Sequence, residues 1–184
     1  EPLLQEFLNR LPFPLTRGQT EAIKTITADF ASDRPMLRLL AGEVGSGKTV
    51  VAAATAYSAV RAGLSVAYLA PTEILCQQHF NSFIKYFTAT GIKIGLLTSS
   101  GGRKFPSKID PTNHTRVSRS QLLKWLHDGT VPIVVGTHAL LSPAIKFKHL
   151  AYVIIDEQHR FGVNQRARLI KQTKPNAPLP HLLS

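Results

Sequence analysis

The stretch "AGEVGSGKTV", Ala41–Val50, decides the fold. Gly42, Gly47, Lys48 and Thr49 fit the spacing G-x-x-x-x-G-K-[ST]. An apolar run over 36–41 leads into it, and a helix-forming run over 48–62, closed by Gly63, leads out. Glycines there let successive backbone N–H groups converge on phosphate oxygens, and the start of a helix adds partial positive charge. The pattern predicts a polyphosphate cradle in which Lys48 reaches the terminal phosphates and the Thr49 hydroxyl ligates Mg²⁺. A glycine-rich turn with an exposed lysine is the plainer alternative. The complete motif between a strand and a helix favours the cradle.

Outward from the cradle, apolar runs alternate with helix-like stretches. Residues 36–41, 65–70, 92–97, 132–136 and 151–156 read as strands, with 178–184 a further candidate. Helical patterns cover 19–31, 48–62, 73–87, 118–127 (closed by Gly129) and 164–171. The strand runs are continuously apolar, as expected of parallel strands covered on both faces. This rhythm predicts an α/β, doubly wound, mainly parallel sheet with helices on both faces and ligands at the carboxyl ends of its strands. One domain over 1–184 is expected. Ser99–Arg116, "SSGGRKFPSKIDPTNHTR", breaks the rhythm with glycines, prolines and polar residues. It is expected to be an exposed, mobile surface loop insertion with only Phe105 and Ile109 as sizeable apolar anchors.

Composition narrows the chemistry. Lys plus Arg number 22 against 11 acids, a formal charge of +11. No acid occurs between Ile74 and Ile109, nor after Glu157, although Arg160, Arg166, Arg168, Lys171 and Lys174 follow it. Such asymmetry points to a polyanionic partner, most often nucleic acid; a solvated basic surface is the alternative. The lone Cys76 excludes an internal disulfide and fits a reducing compartment, so a cytoplasmic location is expected. No apolar run is long enough to cross a membrane, and no membrane partner is expected. The chain begins at Glu1 without a leader pattern and reads as a piece of a longer protein.

"VIIDEQH" supplies a partner for the cradle, because a buried strand delivers Asp156 and Glu157 at its carboxyl end. Asp156 can hold the Mg²⁺ shell, and Glu157 can orient and deprotonate an attacking water. Nucleotide hydrolysis follows. Upstream, Thr16 and Gln19 have the spacing of a capping box, while the Gln19 carboxamide also matches the donor–acceptor edge of adenine. Both roles stay open.

Taken in order, Leu15, Thr16 and Gln19, then "GEVGSGKT", "PTEILCQQH" (71–79), "GTHALL" (136–141) and "DEQHRFGV" (156–163) resemble the motifs of superfamily 2 helicases. They are closest to the first, RecA-like motor lobe of the RecG family of bacterial branched-DNA helicases, over nearly the whole chain. The transcription-repair coupling factors share the "HRFG" stretch, but Glu73, Ala139 and Gln158 tilt the match to RecG. The resemblance implies an ATP-dependent DNA helicase that remodels replication forks and recombination junctions in repair, with ATP and Mg²⁺ as cofactors and branched or duplex DNA as partner. It implies that Gln19 reads adenine and that Gly42, Gly45, Ser46, Gly47, Lys48 and Thr49 hold the nucleotide. Thr49 and Asp156 would hold the metal. Lys48, Asp156, Glu157 and His159 would serve catalysis, with Gln158 and His159 coupling hydrolysis to movement. Pro71, Thr72, Thr137 and His138 would face the DNA backbone. Thr72 as a helix cap, and His138 and His79 as packed histidines, are the plainer readings.

Two departures stand out. That family usually has Thr-Gly-Ser on a DNA-facing loop where this chain has Thr98-Ser99-Ser100, and the segment after it is longer here. The family also continues past the equivalent of Ser184 into a second motor lobe carrying an arginine finger, and a wedge domain precedes the first lobe. A monomeric parent containing all three, located with the nucleoid, is the expectation. Two rivals belong to other classes. A P-loop kinase or GTPase would need an acceptor pocket or an Asn-Lys-x-Asp quartet, and the sequence has no such quartet. A basic DNA-binding module with a degenerate nucleotide fold sits poorly with the intact lysine, threonine and both acids.

Overall fold

The computed structural model describes residues 2–31, 37–38, 47–156 and 181–183. The elements are α1 (Pro2–Asn9), α2 (Arg17–Phe30), β1 (Leu37–Arg38), α3 (Lys48–Arg61), β2 (Ser65–Leu69), α4 (Glu73–Phe87), β3 (Ile94–Thr98), β4 (Gly101–Phe105), β5 (Thr115–Val117), α5 (Arg119–Asp128), β6 (Ile133–Gly136), a 3₁₀ turn His138–Leu141, β7 (Leu150–Ile155) and β8 (His181–Leu183). They build a sheet of order β1-β8-β7-β2-β6-β3-β4-β5. From β1 to β3 the strands run parallel, while β4 and β5 add antiparallel to one edge.

The alternation along each central strand explains the continuous apolar runs. Val66 and Tyr68, Ile133 and Val135, and Tyr152 and Ile154 join one core with α2, α3 and α4. Their neighbours Ala67 and Leu69, Val134, and Val153 and Ile155 join the other with Leu122 and Leu126 of α5. Both faces are thus dry, and the doubly wound architecture expected from the sequence is what forms. α3 presents Ala52, Ala53, Ala56 and Ala59, all buried, so it lies close to the sheet. Its Thr55 hydroxyl meets the Tyr152 hydroxyl of β7 at 2.9 Å inside the core.

The segment 99–116 departs from expectation. It is not an irregular loop, because Gly101–Phe105 and Thr115–Val117 form a hairpin that extends the sheet from β3. Gly101, at φ 115°, makes the reversal after β3. A Cβ on Gly102 would meet the Val117 carbonyl oxygen at 3.1 Å and Leu122 at 3.2 Å, so its bare backbone lets the hairpin sit down on α5. Phe105 is 2% exposed. Lys104 is 7% exposed; its stem lies along Trp125, with the ammonium 5.4 Å from the ring centre and donating to the Pro106 carbonyl at 3.1 Å. Ladder bonds to β3 and the buried lysine stem offset the ordering cost that two apolar anchors could not. Residues 106–114, between the two strands, contain no helix or strand.

α1 was not expected from the sequence; it packs Phe7 on Tyr57 with ring centres 4.6 Å apart. The candidate helix over 164–171 lies outside the described residues. Among the described residues, no helix is long and apolar enough to cross a membrane.

Candidate nucleotide and nucleic-acid site

The parallel strands send their carboxyl ends to one edge of the sheet. Because β7, β2, β6 and β3 are neighbours in that order, Asp156, Pro71–Thr72, Thr137–His138 and Ser99–Ser100 follow one another along it. Three strand spacings separate the first from the last, roughly 14 Å.

At the nucleotide end, α3 starts from Gly47, whose φ of 84° is left-handed and costs a glycine little. A Cβ there would stand 2.0 Å from the Gln19 side-chain nitrogen. The backbone turn requires glycine here, and its missing Cβ leaves room for the Gln19 amide against the head of α3. The capping box is real, with the Thr16 N–H donating to Gln19 Oε1 at 2.9 Å and the Gln19 N–H donating to Thr16 Oγ1 at 3.2 Å. That leaves the Gln19 amide nitrogen as the end that meets Gly47. Lys48 and Thr49, both half-buried, occupy the first two positions of α3. Gly42, Gly45 and Ser46 lie outside the described residues, as do Glu157, Gln158 and His159.

Asp156 follows β7 directly, and its N–H donates to the Leu69 carbonyl of β2 at 2.8 Å. Its Oδ2 lies 2.5 Å from Nε2 of His79 on α4. The imidazole is stacked on Tyr68 of β2, with ring centres 4.4 Å apart. His79 is thus neither free nor merely packed; it orients the carboxylate. No local signal could have revealed this, since the pair is 77 residues apart in sequence and meets only because β2 and β7 are neighbours.

At the nucleic-acid end, the two candidate threonines are both caps. Thr72 Oγ1 accepts the Leu75 N–H at 3.2 Å, and Thr137 Oγ1 accepts the Ala139 N–H at 3.3 Å. Thr72 and His138 are exposed, Pro71 and Thr137 half-buried. The 3₁₀ turn after β6 folds back closely enough that a Cβ on Gly136 would meet Leu140 Cγ at 2.7 Å, and on the other side the Leu97 carbonyl of β3 at 2.6 Å. The Ser99-Ser100 departure has a structural counterpart in Glu73. Its Oε1 accepts from the Ser99 hydroxyl and, at 2.9 Å, from the Ser100 N–H, and its Oε2 accepts from the Ser100 hydroxyl at 3.0 Å. The Ser99 hydroxyl bond, then those to Ser100, hold the Glu73 carboxyl below its ordinary range. The loops after β2 and β3 are thereby tied together. Cys76, on the inward face of α4, is no nucleophile: burial pushes its thiol up to about 11.

The family model for DEAD/DEAH box helicases matches residues 16–180. The chain belongs to the DEAD/DEAH box helicase family. Within that family the chain is 43% identical to the ATP-dependent DNA helicase RecG of Aquifex aeolicus over its full extent, and 45% identical to that of Bacillus subtilis over 90% of it. It spans 21% and 22% of those two proteins. A solved structure of RecG bound to a three-way DNA junction superposes on 99% of the chain with a TM-score of 0.78 at 35% identity, using 22% of the RecG chain. The UvsW helicase of bacteriophage T4 shares the fold, with a TM-score of 0.63 at 17% identity. In this chain Asp156 stands at the carboxyl end of a parallel strand.

Proposed function

We propose that this chain is the first, ATP-binding motor lobe of a DNA helicase of the RecG kind, which remodels branched DNA in the bacterial cytoplasm. One observation supports this above the others: the row along one sheet edge that begins with the Gly47-Lys48-Thr49 helix start and Asp156 and continues through Thr72, Thr137 and Ser100. A second motor lobe closes over this edge, and a wedge domain engages the junction.

The residues suit a magnesium nucleotide. Gly47 admits no side chain, so backbone can approach phosphate; Lys48 brings an ammonium, and Thr49 and Asp156 bring the hard oxygen donors that Mg²⁺ prefers. When bound, the metal neutralises phosphate charge. Gly42, Gly45 and Ser46 complete the cradle, and Lys48 holds the terminal phosphates. Glu157 takes the proton of the attacking water, while His79 keeps Asp156 fixed. Gln19 reads the adenine edge, and Gln158 with His159 transmits hydrolysis to movement. Toward DNA, Thr72 and Thr137 have spent an acceptor site on their caps, yet each hydroxyl retains its own proton for a phosphate oxygen. Pro71 and His138 flank them. Such contacts position the strand and read no sequence.

The test uses the full-length protein. Lys48→Ala should strip ATP affinity, measured by calorimetric titration. Glu157→Gln should keep affinity and lose phosphate release, because the amide keeps the shape and removes the base. Equal loss of affinity in both variants contradicts the assigned roles.

A further inference from the structure

We infer that the face of the β4–β5 hairpin carrying Arg103 and Arg116 is a binding site for the phosphate backbone of DNA, auxiliary to the sheet-edge row. This inference rests on the helicase reading above.

The two arginines are directly opposite each other in the antiparallel ladder. The hairpin's other face is settled by Gly102 against Leu122 and by Lys104 over Trp125, so Arg103 and Arg116 share the face toward α4. Opposed residues of an antiparallel pair have Cβ atoms about 4.5–5.5 Å apart, and like charges placed so destabilise the hairpin they stand on. Among the described residues, neither guanidinium has an ion-pair or hydrogen-bond partner. The acids that could have neutralised them are engaged elsewhere: Glu73 by Ser99 and Ser100, and Asp110 by Thr112. His114, on the same face, packs on Phe80 with ring centres 5.2 Å apart, and its buried Nδ1 has no partner. Burial, and then the field of Arg103, push this imidazole below its ordinary range, a sign that the positive charge here is uncompensated within the described structure.

A fold does not gain from two opposed, unpaired guanidiniums, whereas a ligand with closely spaced anionic oxygens does. Guanidinium forks present parallel N–H pairs that match phosphate. The location specifies which phosphate. Arg103 is two residues along β4 from Gly101, about 7 Å from the turn that Ser99 and Ser100 make at the DNA-facing edge. That distance is within reach of an arginine side chain, so a strand tracked by Thr72, Thr137 and Ser100 can extend onto the hairpin. An acidic peptide would meet the same charges, but nothing continues its path along the edge.

The experiment compares full-length wild-type protein with Arg103→Gln/Arg116→Gln on a forked duplex, measuring affinity across a salt series. Each lost phosphate contact should remove about 0.9 from the slope of log affinity against log salt, so the pair should lower it by about 1.8 and weaken binding at least about tenfold near 0.1 M salt. ATP affinity without DNA should be unchanged, and the melting midpoint equal or higher, since repulsion is relieved. Arg103→Lys/Arg116→Lys should keep the wild-type slope. If the glutamine pair lowers the melting midpoint, each single variant is read instead, with an expected slope change of about 0.9. A wild-type slope retained by the glutamine variants overturns the inference and leaves the helicase reading standing. If those variants lose binding to polyglutamate while keeping the DNA slope, the face belongs to an acidic protein and the inference is likewise overturned. Wild-type protein that binds DNA without salt dependence sinks the helicase reading itself.

Discussion

The buried pair Thr55–Tyr152 joins the helix that begins with Lys48 to the strand that leads into Asp156, and its two halves should not be equal under mutation. Both side chains are fully buried. The Thr55 hydroxyl has one proton, directed at the Val51 carbonyl at 2.7 Å and the Ala52 carbonyl at 3.1 Å. Tyr152 must therefore be the donor across the 2.9 Å contact. Tyr152→Phe removes that donor and leaves Thr55 bonded to its own helix, a loss of about 0.5–1.5 kcal/mol. Thr55→Val keeps the shape but strands a phenolic O–H in apolar surroundings, which costs about 1–3 kcal/mol. The double variant strands nothing, so it should be no worse than Thr55→Val, giving a coupling energy of about 1–2 kcal/mol. Urea unfolding of the four proteins, followed by far-ultraviolet circular dichroism, reads these differences directly. A Thr55→Val cost no larger than that of Tyr152→Phe, or additive losses in the double variant, would refute the donor assignment.

Three further outcomes are expected. Gly47→Ala should lose both nucleotide binding and stability, since it imposes a left-handed strain of about 1–2 kcal/mol and drives a methyl group into Gln19; fluorescent-nucleotide titration and thermal melting check it. Glu73→Gln should weaken DNA-stimulated hydrolysis while sparing basal nucleotide affinity; in the unmutated chain the Glu73 tie should persist above the ordinary carboxyl value of 4.5 and be lost as pH falls through its depressed one, followed by the Ser100 amide resonance. Cys76 should resist a disulfide reagent at pH 8 until urea unfolds the chain, because folding withholds the thiolate; rapid labelling of the native chain would contradict its burial.

The start of α3 and the position of Asp156 were legible because their signals are local: Gly47, Lys48 and Thr49 are consecutive, and Asp156 is delivered by a strand whose apolar run announces it. The same runs gave away the sheet, since strands covered on both faces cannot hide their composition. What was illegible depends on partners far apart in sequence. His79 looked like a packed histidine until β2 and β7 were side by side, and Ser99-Ser100 looked like a defect in a motif until Glu73 reached across from α4. The hairpin was missed for a different reason. Counting large apolar residues undervalues Lys104, whose aliphatic stem is buried while its charge finds a carbonyl, and it cannot see that a missing Cβ at Gly102 is itself a packing feature.

The order of the strands has a consequence for how the molecule behaves among its copies. At one margin of the described sheet stands Thr115–Val117, three residues long, with Arg116 at its centre. An open margin is a template on which a neighbouring chain can continue the ladder, and slow-forming parallel sheets expose such templates for longer while they assemble. At this margin an incoming strand meets only three residues of backbone before the ladder ends, and Arg116 repels the same margin of an identical molecule. This margin of the sheet thereby resists lateral growth into aggregates.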